Sequence, residues 1–83
     1  MAVLVDATTP AAAVLDIIRA GRYVVSAAVF DEYTGGQLPP GKRSIAVRVL
    51  FQDPARTLTD DDVAASRRQI IARLEHELGA TLR

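Results

Sequence analysis

Cysteine is absent from the 83 residues, which excludes a disulfide framework and any thiolate metal site. One histidine, His76, cannot complete a zinc site from this chain alone. An excess of either charge is missing too, because ten basic side chains balance ten acidic ones. Affinity for nucleic acid comes largely from neutralising phosphates. A neutral domain should therefore hold RNA weakly unless something else delivers the RNA to it. No apolar run approaches the ~20 residues of a membrane span. The opening MAVLVDATTP turns polar too soon for a signal peptide. The expected location is cytoplasmic, with no membrane partner. No nucleophile–base pair, glycine-rich phosphate loop or cluster of metal ligands is visible, so no residue here points to catalysis.

What is present is apolar and patterned. Hydrophobic residues make up 49% of the chain, enough to argue against disorder. A chain of this length buries roughly 60–65% of its unfolded surface. That supports one domain, residues 1–83, with a single core and no deep enzyme pocket. Ala2–Asp6 (AVLVD) reads as a strand. Thr9-Pro10 reads as a helix start, a threonine cap followed by proline at the first helical position. Ala11, Val14, Leu15 and Ile18 follow at helical spacing, and Gly21 is expected as a left-handed stop. Tyr23–Tyr33 is rich in valine and aromatics and forms a second strand. Thr34–Gly41 is a glycine- and proline-rich loop.

Ser44–Gln52 (SIAVRVLFQ) alternates strictly. Ile45, Val47, Val49 and Phe51 take one face; Ser44, Ala46, Arg48 and Leu50 take the other. Such alternation predicts one covered and one open face. Asp53-Pro54 breaks the strand. Thr59 with Asp60, Asp61 and Asp62 opens a second helix, with Asp62 at the reciprocal capping-box position. Val63, Ile70, Leu74 and Leu78 form its apolar stripe, and Gly79 ends it. Ala80–Arg83 is left for a short last strand. The order β-α-β-β-α-β predicts an α+β, ferredoxin-like fold, a four-stranded antiparallel sheet with two helices on one face.

The ordered elements Phe30-Asp31-x-Tyr33-x-Gly35, Gly41-Lys42-Arg43-Ser44, Arg48, Phe51, Arg56-Thr57-Leu58-Thr59-Asp60 and Leu82-Arg83 make the chain closely similar to one family. It resembles the ferredoxin-fold anticodon-binding domain that closes the β subunit of bacterial phenylalanyl-tRNA synthetase. Family members usually begin with a few more residues, so the chain is expected to be a domain excised from a longer subunit. The resemblance implies no catalysis and no cofactor in this domain; the parent enzyme would use ATP and magnesium. It implies as partners the anticodon region of tRNA(Phe), the rest of the β subunit and its α subunit.

The side chains can be matched to that task. Single-stranded bases are read by stacking on aromatic rings and by hydrogen bonds to their edges. Tyr33 offers a ring. Asp31, two residues earlier, shares its face if the strand stays regular, and its carboxylate can accept from guanine's Watson–Crick edge. Ser44 and Arg48 share the open face of the next strand. Lys42 and Arg43 at the loop would hold phosphates, and Arg83 is a further candidate. Between Lys42 and Arg56 stand four basic residues and one acid, Asp53, so the local balance is positive. Plainer readings exist: Asp31 as a turn or bulge residue, Lys42 and Arg43 as hairpin-tip charges that deter edge pairing, and Arg56–Thr59 as a turn into a capped helix. A protein-interaction module or an amino-acid-binding regulatory module of the same topology are the competing functions, since this fold hosts many.

Overall fold

Side-chain alternation along three strands decides what the sheet covers. The structure is a computed structural model and describes residues 1–82. Its elements are β1 (Ala2–Asp6), α1 (Ala11–Arg19), β2 (Val24–Thr34), β3 (Lys42–Phe51), α2 (Asp60–Leu78) and β4 (Thr81–Leu82). The strands form one sheet in the order β2-β3-β1-β4, with every neighbouring pair antiparallel. Val3 and Val5 of β1, Ala27 of β2, and Ile45 and Val47 of β3 lie in a buried cluster with Val14, Ile17 and Ile18 of α1 and Ile70 and Leu74 of α2. Both helices therefore pack on the face of the odd-numbered β3 residues, and the expected ferredoxin-like α+β architecture is the one observed.

The second helix begins as its sequence dictates. Thr59 Oγ1 accepts from the Asp62 N–H at 3.2 Å, while Asp62 Oδ2 accepts from the Thr59 N–H at 3.0 Å. Two otherwise orphaned donors are satisfied reciprocally, beside three aspartates that suit the positive helix end. Gly79 stops the helix at φ 62° and sends its N–H to the Glu75 carbonyl. That left-handed geometry would strain any residue with a Cβ.

Two expectations about helix ends and one about the last strand need correction. Pro10, not Thr9, occupies the N-cap of α1; its ψ of 142° is extended and no side chain caps the helix. Thr9 instead donates its N–H to the Asp6 carbonyl in the preceding turn. Gly21 is not left-handed. It is required by space: a Cβ there would stand 2.4 Å from Ile70 Cδ1 and 2.6 Å from Ile70 Cγ1. The left-handed position falls on Tyr23, at φ 68°. The last strand is Thr81–Leu82, paired with Leu4 and Val3 of β1; Ala80 of the expected strand precedes it as a buried core residue, and Arg83 lies outside the described residues.

Tyr23 is held from several sides. Its carbonyl accepts from the Gln52 N–H at 2.8 Å, and its hydroxyl accepts from Arg56 Nη2 at 3.0 Å. Arg56 also donates Nη1 to Asp62 at 2.7 Å. Contacts of this kind can hold a non-glycine residue in a sparsely populated backbone region. They also give Arg56 the structural role expected of the turn before α2.

Candidate nucleic-acid interface

The face opposite the helices is built from β-strand registry. Pairing sets Asp6 against Lys42, Leu4 against Ser44, Tyr33 against Ser44, Asp31 against Ala46 and Ala28 against Arg48. Directly paired residues share a face. Asp31, Tyr33, Lys42, Ser44 and Arg48 thus all belong to the side away from α1 and α2.

A bulge makes this possible. The register shifts between Val29 and Asp31, leaving Phe30 as an extra residue. Ala27 and Val29 point inward. Strict alternation from them would aim Asp31 and Tyr33 inward as well, and would bury a carboxylate. The added residue resets parity, so that Phe30, Asp31 and Tyr33 all reach the outer face. Bulges commonly re-aim side chains in this way. Phe30 is 58% exposed, and the Arg48 guanidinium lies 5.2 Å from its ring centroid, within cation–π range.

Asp31 is fixed by its neighbours. Its Oδ1 accepts from the Glu32 N–H at 2.9 Å and its Oδ2 accepts from the Tyr33 hydroxyl at 2.6 Å. A carboxylate has about four acceptor sites, so capacity remains. Tyr33 is half exposed. It also borders an open concavity of about 420 Å³ at the hairpin tip, with Thr34, Gly35, Gly36, Gln37 and Leu38.

Ser44 differs from what its face suggests. It sits on the outer side of the sheet yet is only 1% exposed. A small side chain on a central strand, it lies between the larger paired residues Leu4 and Tyr33. Its Oγ is buried without a hydrogen-bond partner among the described residues. Buried polar groups are normally satisfied, and an exception calls for an explanation.

The two loop cations separate. Lys42 and Arg43 are the first residues of β3 rather than loop residues. Lys42 stays on the outer face and its Nζ pairs with Asp6. Arg43 points to the helix side, where Nη1 meets Glu32 Oε1 at 3.1 Å and Nη2 donates to the Thr9 carbonyl. The positive balance read along the chain is therefore largely cancelled in space: Lys42, Arg43 and Arg56 each face a carboxylate. Among those four cations, Arg48 alone has no carboxylate within ion-pair distance among the described residues. Arg83 lies outside the described residues.

Phe30 is the member of this group that sequence reasoning passed over as a contact residue. The signal was available: an inward-facing alanine and valine two apart, followed by an acid at the next inward position, call for a register slip.

The chain is thus an open-faced, ferredoxin-like α+β layer whose uncovered side gathers two aromatic rings, a fixed carboxylate, a guanidinium and a buried hydroxyl. Comparison with known proteins narrows this. Residues 1–83 match the ferredoxin-fold anticodon binding domain, and the chain belongs to that family. It is 47% identical over 85 residues to the phenylalanine–tRNA ligase beta subunit of Moorella thermoacetica. It is 44% identical over 85 residues to that of Pseudomonas savastanoi, and 44% identical over 88 residues to that of Geobacter sulfurreducens. Each match covers 100% of this chain but 11% of the relative.

Proposed function

We propose that this chain is the anticodon-reading module of a phenylalanyl-tRNA synthetase β subunit, and that Phe30, Asp31, Tyr33, Ser44 and Arg48 form its RNA contact. It positions tRNA(Phe), while aminoacylation, with ATP and magnesium, takes place elsewhere in an assembly that includes the α subunit, in the cytoplasm. The reading rests on one observation, the convergence of these five side chains on the uncovered face through a bulge.

Each has a task its chemistry suits. Tyr33 stacks a base that enters the concavity at the hairpin tip. Asp31, already oriented by Glu32 N–H and Tyr33 OH, accepts from donors on the base edge; guanine supplies two. Ser44 Oγ gains the partner it lacks once Tyr33, its cross-strand neighbour, shifts to admit the base. Arg48, seated against Phe30, stacks a second base or meets a phosphate. Lys42 contributes at the rim of the face, sharing its charge with Asp6. Arg43, turned to the helices, supports the hairpin instead.

The test is Tyr33→Ala in a synthetase carrying this domain. Loss of a base stack worth ~1–3 kcal/mol should raise KM for tRNA(Phe) by about 5- to 150-fold, with ATP- and phenylalanine-dependent activation unchanged. An unaltered KM for tRNA would remove Tyr33, and with it the proposed platform, from the site.

A further inference from the structure

Glu32 is an acid on the covered face of the sheet. It stands opposite Ile45, one of the buried helix-side residues of β3, so its side chain leaves on that side while Asp31 and Tyr33 leave on the other. Arg43 lies two residues before Ile45 and diagonal to Glu32, within reach of a long side chain. Its guanidinium divides: Nη1 meets Glu32 Oε1 at 3.1 Å, and Nη2 donates to the Thr9 carbonyl in the turn between β1 and α1. The planar fork lets one side chain hold both partners. That turn and the base of the hairpin are joined twice more, by the Ala7 N–H to the Gly41 carbonyl at 2.8 Å and by Asp6 to Lys42. Arg43 is the tie that continues across to β2. Its side chain is only 20% exposed, and its Nε is buried with no hydrogen-bond partner among the described residues. Burying an incompletely paired cation is costly, so its retention points to something it holds.

Main-chain groups alternate in direction along an antiparallel strand. Val47 bonds toward β1, through Met1. By that alternation Ile45 also bonds toward β1, and the Glu32 N–H opposite it points to the free edge of the sheet. There it donates to Asp31 Oδ1 at 2.9 Å, and Asp31 Oδ2 in turn accepts from the Tyr33 hydroxyl at 2.6 Å. The peptide N–H that orients this carboxylate is therefore not fixed by the ladder. It is held across the strands through the Glu32 side chain.

We infer that Arg43, acting through Glu32, is a positioning residue for the Asp31–Tyr33 reader, an assignment that rests on the RNA role proposed above for those two residues. The order of action runs from the Thr9 carbonyl to the guanidinium, then to the Glu32 carboxylate, and through the Glu32 N–H to Asp31 and the Tyr33 hydroxyl. The pair also selects the register. With Phe30 as the extra residue of the bulge, Glu32 stands beside Arg43. Regular alternation without the bulge would turn Glu32 outward, and Asp31 and Tyr33 inward. Fixing a register is a well-attested use of polar groups within a fold.

Two measurements test this. In the full chain, the amide resonance of residue 32 is followed by NMR as Asp31 titrates. Its charge-assisted bond is strong only to the ionised carboxylate, so the resonance moves with that titration. Arg43→Met keeps the apolar stem and removes the fork; Glu32→Ala leaves Arg43 in place and removes its partner. Each should cut the pH-dependent displacement by about half or more, because the donor is no longer held against the carboxylate. In a synthetase carrying the domain, Arg43→Met should raise KM for tRNA(Phe) by about 2- to 13-fold, the worth of one hydrogen bond. It should raise KM no further where Asp31→Asn is already present. A displacement that survives both substitutions would overturn the assignment, whatever the RNA result. An equal rise in KM in the two backgrounds would also overturn it, since that is the additivity of an independent, general weakening. Unaltered KM on Asp31→Asn, together with a displacement lost on Arg43→Met, would strike out the RNA role of Asp31 and leave the positioning of its carboxylate by Arg43 and Glu32 supported.

Discussion

Removing one oxygen atom should separate the proposed RNA role of Ser44 from any contribution to folding. In the free domain its Oγ is buried without a partner among the described residues, and a buried hydroxyl left unsatisfied costs ~1–3 kcal/mol. Ser44→Ala abolishes that cost. It leaves a void smaller than a methyl group, and a methyl-sized void costs ~1 kcal/mol. The balance is zero to about 2 kcal/mol in favour of the variant. For a domain of this size each kcal/mol moves Tm by about 4–8 °C, so thermal unfolding of the 83-residue chain should be unchanged or shifted upward. Binding of tRNA(Phe) by a synthetase carrying the variant should move the other way. A hydrogen bond to the base worth ~0.5–1.5 kcal/mol is lost, which is about 2- to 13-fold in Kd. Loss of stability would mean that the hydroxyl is a structural partner within the fold. Unchanged affinity for tRNA would mean that Ser44 only packs. Either result refutes the reasoning.

Two further expectations concern the scaffold. The Arg56 guanidinium, aided by the Thr59 N–H, holds the Asp62 carboxyl well below the usual carboxylate range. A carboxylate whose folded pKa is depressed contributes stability that is present above its unfolded value of about 3.9 and is lost as pH falls through the folded one. Asp62→Asn should therefore lower Tm at neutral pH and flatten the acid limb, the two unfolding curves converging as pH drops below about 4; a constant offset down to strong acid would exclude the ion pair as the cause. Gly21→Ala places a Cβ against Ile70 Cδ1 and Cγ1, atoms of a side chain only 2% exposed. Overpacking of this kind costs ~1–3 kcal/mol, or about 4–24 °C in Tm. The penalty should shrink in an Ile70→Val background, where Cδ1 is gone, and an identical penalty in both backgrounds would place the strain elsewhere.

Periodicity made the fold legible. The inward set of β3, the apolar stripe of α2 and the capping box at Thr59 and Asp62 follow from spacing and end chemistry within single segments. What spacing could not supply was anything set by a neighbouring strand. Arg43 and Lys42 are adjacent in sequence and opposite in space, and only the ladder with β1 shows that one meets Asp6 and the other Glu32 and Thr9. Ser44 was placed on the correct face, but its burial depends on Leu4 and Tyr33 standing on either side. Gly21 looked like a helix stop because glycine often is one; the actual constraint comes from Ile70, 49 positions away, and cannot be seen locally. Asp31 reached the outer face through a bulge rather than through regular alternation.

The charge arrangement bears on how such a face would discriminate. Lys42, Arg43 and Arg56 are each opposed by a carboxylate within the fold, and Asp31 and Asp6 place negative charge on the outer face beside Lys42 and Arg48. Little counterion release can follow from RNA contact, so the electrostatic part of the affinity is small and weakly salt-dependent. Under the proposed reading the remaining contributions are stacking on Tyr33 and Phe30 and hydrogen bonding to Asp31 and Ser44. These depend on which base is present, whereas phosphate contacts do not. Cancelling the phosphate term therefore raises the share of binding free energy that varies with the base, at the expense of total affinity. In the proposed role that is the useful division. The bulk of the tRNA can be held by polypeptide outside the 11% of the relatives' length that this chain matches, and a wrong anticodon then meets a face with almost nothing else to offer it.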